Sequence, residues 1–193
     1  MKMRKVLSAL LVAACTLSLA ACGSSSSKSE TTGASGETAA GSANTAKVID
    51  VDLTSEEYAF GVDKTQPELL EQTNTFIQKI KDDGTLDAIC AKYFGDGEPE
   101  AVESAELDSS KDQLVVATNA AFEPFEYTKG DQYYGIDMEI AKLLADELGK
   151  ELVIQNMDFD AVCLSVSQQK CDIAMAGLTI NEEREEYVTF TDS

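Results

Sequence analysis

Residues 114–176 read LVVATNAAFEPFEYTKGDQYYGIDMEIAKLLADELGKELVIQNMDFDAVCLSVSQQKCDIAMA. Leu114-Val-Val-Ala-Thr118 is an apolar run bounded by polar residues, the mark of a buried strand. A turn-rich stretch follows. Asp137 to Leu148 then carries Ile140, Leu143, Leu144 and Leu148 at helical spacing, and Gly149 closes that helix. Leu152-Val-Ile154 is the next strand, Asp160 to Ser167 a short helix, and Asp172-Ile-Ala-Met-Ala176 a further strand. The alternation predicts an α/β fold: a mainly parallel sheet flanked by helices, with right-handed crossovers. Ligands of such sheets gather at the carboxyl ends of the strands.

Two loops leave those ends. Asn119-Ala-Ala-Phe122-Glu-Pro124-Phe125 follows the first strand, and Gly177-Leu-Thr179-Ile-Asn181-Glu-Glu-Arg184 follows the last. Arg184 is the only Arg beyond Arg4, in a chain with 35 acidic residues. A guanidinium can grip a carboxylate by two parallel hydrogen bonds. Gly177 allows close backbone approach and suits a backbone donor, and the Thr179 hydroxyl adds another donor. Phe122 can form an apolar or cation–π wall, and Asn119 can meet an ammonium or an amide. A plainer reading stands beside this one: Arg184 neutralises Glu182, Glu183, Glu185 and Glu186, and Phe122 and Phe125 plug the core.

Upstream, Tyr58 to Val62 reads as a short strand and Pro67 to Lys81 as a helix opened by Pro. Leu69, Leu70, Phe76, Ile77 and Ile80 share one face of that helix. Asp83-Gly84-Thr85 reads as a stop, a turn and a new N-cap. A second helix then carries Leu86, Ile89, Cys90 and Tyr93 at spacings of three, four and seven, and residues 100–112 form an acidic connector. Cys90 reads as a helix core residue, while Cys163 and Cys171 either stay free or pair across the connection between them.

The whole chain has 193 residues, a net charge of −20 and no His. So acidic a balance argues against nucleic acid, which is bound through clustered Lys and Arg. The absence of His removes His-based triads, bases and metal ligands, so neither a cofactor nor a metal is expected. Residues 1–21 combine a basic start at Lys2, Arg4 and Lys5 with the apolar stretch Val6 to Ala14, as a signal peptide does. Leu19-Ala-Ala-Cys22-Gly23 resembles the lipobox of bacterial lipoproteins. That likeness implies cleavage before Cys22, a diacylglyceryl group on its thiol and a further acyl chain, such as palmitate, on its amine. The expected location is the outer face of the cytoplasmic membrane, with the lipid as anchor. Residues 22–47 then form an anchored tether, rich in Gly, Ser, Thr and Ala, with a span of roughly 25–30 Å. Removing residues 1–21 takes away three positive charges and no negative ones, leaving 12 Lys+Arg against 35 Asp+Glu, or −23.

Gly135-Ile-Asp-Met-Glu-Ile-Ala-Lys-Leu-Leu-Ala-Asp-Glu-Leu148 resembles the signature of family 3 bacterial extracellular solute-binding proteins, the polar amino-acid receptors of ABC importers. Phe122-Glu-Pro-Phe125 and the run from Asp172 to Arg184 agree with it in order and spacing, so the likeness covers residues 113–193. It implies a periplasmic-binding-protein-like (type II) lobe and a zwitterionic amino acid as ligand. By resemblance, Arg184, Gly177 and Thr179 hold the α-carboxylate and Phe122 packs on the ligand. Asn119 stands where the family often has Asp, which weakens the case for a strongly cationic ligand at that contact. An ABC permease is the implied partner, and no catalysis is expected.

Residues 48–99 also resemble this family, but they match its closing strand and two helices, which here precede the first lobe. The likeness ends at Ser193, before a second lobe, so this reading expects weak ligand binding at best. Two arrangements fit: a single permuted lobe, or the start of a longer receptor with an extra N-terminal copy. Two other functions remain open. One is a scaffold lobe that binds no solute. The other is a periplasmic dehydratase-like enzyme on the same fold, with Glu123 or Glu126 as its acid or base.

Overall fold

The computed structural model describes residues 56–193. The expected signal peptide, the expected tether with Cys22, and residues 48–55 of the following segment lie outside the described residues. Chain order is β1 (Gly61–Asp63), α1 (Pro67–Asp82), α2 (Thr85–Phe94), β2 (Gln113–Thr118), β3 (Ala121–Phe122), β4 (Glu126–Lys129) and β5 (Gln132–Tyr134). It continues with α3 (Ile136–Leu148), β6 (Glu151–Asn156), α4 (Phe159–Ser167), β7 (Ile173–Ala174), α5 (Glu182–Glu185) and β8 (Val188–Phe190).

The main sheet has the order β6-β2-β7-β1-β8. Strand β2 pairs in parallel with β6 on one side and β7 on the other, whereas β1 runs antiparallel to both β7 and β8. The sheet is therefore mixed. The expected parallel arrangement holds for β6, β2 and β7, and the segment from before residue 100 supplies the one reversed strand, inserted between β7 and β8. Apolar runs of β-branched residues explain the centre: Val116, Ala117, Ile173 and Ala174 are fully buried.

Helices cover both faces. On one side α1, α2 and α3 bring Leu69, Phe76, Ile80, Ile89, Ile140 and Leu144 onto Leu114, Val116, Leu152 and Ile154. On the other, Val162 and Val166 of α4 pack with Ala117, Ala174, Leu178 and Val188. A side chain of this size stabilises the fold by about 1.5–3 kcal/mol when fully buried.

Several local expectations change. The Tyr58–Val62 strand shrinks to Gly61–Asp63, with Tyr58 forming a separate bridge to Thr179. Gly84, at φ 80°, caps α2 in place of Thr85, and the Asp83 carboxylate accepts from the Thr85 amide at 2.9 Å. Leu143 is 36% exposed, because Ala141 and Ala145 take the inner positions beside it. The turn-rich stretch after β2 is a second, three-stranded sheet, β3-β4-β5. Strand β7 spans only Ile173–Ala174, although the Met175 amide still donates to Ala117 at 3.0 Å. The connector is tied down: Val102 is buried and bridges to Tyr133, and the Ser104 hydroxyl accepts from the Ile154 amide at 2.8 Å. Cys163 and Cys171 are buried free thiols, and Cys90 is half-buried on α2.

Candidate functional site

Parallel pairing puts the carboxyl ends of β2, β6 and β7 on one edge of the sheet. The loop after β2 leads to Phe122, the link after β6 leads to Phe159 at the start of α4, and the turn after β7 begins at Gly177. The bridge from Tyr58 to Thr179 adds the chain before β1. Together they enclose an open cleft of about 360 Å³. All five residues singled out in the sequence, Asn119, Phe122, Gly177, Thr179 and Arg184, line it, together with Glu56, Tyr58, Glu126 and Phe159.

Arg184 sits on α5, where the Asn181 side chain caps the Arg184 amide at 2.9 Å. One guanidinium nitrogen, Nη1, donates to the Thr179 carbonyl at 2.7 Å. The guanidinium carbon lies 5.1 Å from the centre of the Phe159 ring. The ion pairs among the described residues all use lysines, so Arg184 does not neutralise its glutamate neighbours. The rest of its donor fork remains for a ligand.

Phe122 is 46% exposed and stacks on Phe125, with ring centres 5.4 Å apart. Only Phe125 serves as the plug, meeting Tyr58 edge-on at 5.0 Å. Asn119 has one amide N–H engaged, donating to the Met157 carbonyl at 2.7 Å, which leaves its second N–H and its carbonyl oxygen for the cleft. The Thr179 hydroxyl is 3.4 Å from a Glu56 carboxylate oxygen.

Gly177 departs from its expected role. Its φ of +52° favours glycine, and a Cβ there would stand 3.0 Å from the Phe122 ring. Its amide, however, donates to Asp137 at 2.8 Å, and a donor held by a protein carboxylate is not free for a ligand.

Two buried acids beneath this turn escaped the sequence reading as a pair. Glu126 is 1% exposed, and neither carboxyl oxygen has a hydrogen-bond partner among the described residues. Burial first, and the Asp137 charge second, push its pKa up to about 9. Asp137 is 5% exposed, and burial raises it to about 7, opposed by the Gly177 N–H. One signal was available for Asp137. It shares the i, i+3, i+7 stripe with Ile140 and Leu144, so an acid stood on the buried face of α3. Glu126 had no comparable signal. Glu123, the other candidate acid, is exposed and does not line the cleft.

Residues 114–193 match the profile of "Bacterial extracellular solute-binding proteins, family 3". The likeness to that family is confined to these residues. Among relatives, the arginine-binding extracellular protein ArtP of Bacillus subtilis is 38% identical over 85 residues, 44% of this chain and 33% of its own. Cyclohexadienyl dehydratase of Pseudomonas aeruginosa is 35% identical over 79 residues, 40% of this chain and 30% of its own. Among solved structures, the arginine-bound form of truncated ArgBP from T. maritima shares 39% identity, with a TM-score of 0.37 over 38% of this chain and 35% of that one. The chain spans about a third of the length of the curated relatives it matches. The matched segment supplies Asn119, Phe122, Gly177, Thr179 and Arg184, while Glu56 and Tyr58 come from outside it.

Proposed function

We propose that this chain is an exported amino-acid receptor, or a lobe of one, that delivers its ligand to an ABC permease and stays on the membrane through lipid at Cys22. The observation that carries the reading is the convergence of Arg184, Thr179 and Phe122 on one cleft from loops about 60 residues apart. The free part of the Arg184 fork takes the α-carboxylate, joined by the Thr179 hydroxyl once it turns from its 3.4 Å contact with Glu56. Phe122 and Phe159 wall the ligand's carbon skeleton. In this reading residues 56–94 act as the closing strand and two helices, supported by the pairing of β1 with β7 and β8 and by the packing of α1 and α2 with α3. The chain acts as a binder and not as an enzyme.

A thermal-shift series of the full chain against the twenty L-amino acids, repeated with Arg184→Ala, tests this. A ligand at 100 times its Kd stabilises the folded state by about 2.7 kcal/mol. The reading expects one chemical class to raise Tm in the wild type and none in the variant. Equal shifts in both proteins would refute the carboxylate role. A cooperative melt that no amino acid moves would favour the scaffold.

One observation favours a second reading, a dehydratase-like enzyme: Glu126 is a buried carboxyl that retains its proton at neutral pH and lines the cleft. It requires turnover of a cyclic acid, abolished by Glu126→Gln.

A further inference from the structure

Asp137 touches both loops that build the cleft. Its backbone amide donates to the Phe125 carbonyl at 2.9 Å, holding the Phe122–Phe125 loop. Its carboxylate accepts from the Gly177 amide at 2.8 Å, holding the turn that leads to Thr179 and Arg184. No other side chain among the described residues is bonded to the Gly177 amide, and Asp137 itself stays out of the cleft wall. The start of α3 can approach so closely because Gly135 has no Cβ; one would lie 2.1 Å from the Phe125 carbonyl oxygen.

We propose that Asp137 is the positioning residue of the ligand cleft, fixing the Gly177 turn against the Phe122 loop so that Phe122, Thr179 and Arg184 face one ligand. This rests on the receptor reading given above. The charge arrangement follows from the partners. Glu126, on β4, carries a carboxyl oxygen 3.7 Å from where a Gly177 Cβ would stand. Two buried carboxylates on either side of one turn do not both ionise at low cost. Asp137 has the N–H partner and takes the charge, whereas Glu126 has none and keeps the proton. Tyr58, from the chain before β1, feels both acids and Glu56. On the far side, Lys81 of α1 and Asp192 share an apolar hollow of about 150 Å³ with Asp137.

The test follows the Gly177 amide in uniformly 15N-labelled full chain without ligand. In the wild type its proton shift titrates with a midpoint near pH 7. In Asp137→Asn, which keeps an acceptor oxygen but has no charge, the Gly177 step near pH 7 is lost and only the Glu126 titration at higher pH remains. In Asp137→Ala its hydrogen exchange accelerates roughly tenfold or more, while amides of β2 and β6 keep their protection. L-Arginine affinity, the functional probe, falls roughly tenfold in Asp137→Ala and recovers in Asp137→Asn to within about threefold. A Gly177 amide equally protected in the wild type and Asp137→Ala, or an L-arginine affinity unchanged in Asp137→Ala, overturns the proposal. Should Asp137→Ala not fold, Asp137→Ser, whose shorter side chain does not reach the Gly177 amide, takes its place in both readouts. Failure of the wild type to bind any amino acid counts against the receptor reading alone, because the Gly177 readout needs no ligand.

Discussion

Glu126→Gln should make the folded chain more stable than the wild type at pH 8, by an amount that grows with pH. The Glu126 carboxyl is nearly inaccessible, and its pKa rises from the ordinary 4.5 to about 9. Above pH 4.5 the unfolded chain releases a proton that the folded chain keeps. Because the folded pKa lies above the unfolded one, the group's contribution is fully present at low pH. It is lost progressively as pH rises toward 9. One proton changes stability by at most about 1.4 kcal/mol per pH unit. Between pH 5 and pH 8 the ceiling is therefore about 4 kcal/mol. The cleft beside the carboxyl is open to water, which screens part of this, so roughly 2 kcal/mol is expected. Gln keeps the shape and removes the titration, so subtracting the two stability curves isolates this one group. Urea melts of both proteins at pH 5, 6, 7 and 8 provide the curves. Curves that stay parallel across that range would show that Glu126 is ionised in the folded state, and the reasoning about its burial would fail.

Gly135→Ala should cost about 3 kcal/mol or more, read as a lower Tm, because the φ of 127° and the Phe125 carbonyl leave no room for a Cβ. Tyr93→Phe should cost about 1–3 kcal/mol in a urea melt. It removes the hydroxyl that donates to Glu139 at 2.7 Å and accepts from the Gly135 amide at 3.0 Å. Cys163 and Cys171, whose thiols burial pushes up, should resist a thiol reagent at pH 8 and become labelled only in denaturant, as peptide mapping will show. Early labelling of either would mean that α4 opens locally.

The sequence by itself determined the elements whose signal is local. The helix from Pro67, the α3 stripe of Ile140 and Leu144, the Gly149 stop and the β2 and β6 runs all appear where periodicity and punctuation put them. It also placed Asn119, Phe122, Gly177, Thr179 and Arg184 near one another, because loops after parallel neighbouring strands must emerge at the same edge. The tertiary structure decided what depends on contacts between distant residues. The sheet became mixed because β1 inserts between β7 and β8, and no local pattern states which strand another will meet. Leu143 faces outward because Ala141 and Ala145, though small, occupy the side of α3 turned to the sheet. Asp137 stands on the apolar stripe of α3 and Glu126 among many other acids, but neither position states that the two meet. Only the packing of α3 and β4 beneath the Gly177 turn withdraws them from water, and desolvation is a property of the surroundings that a residue's own identity does not carry.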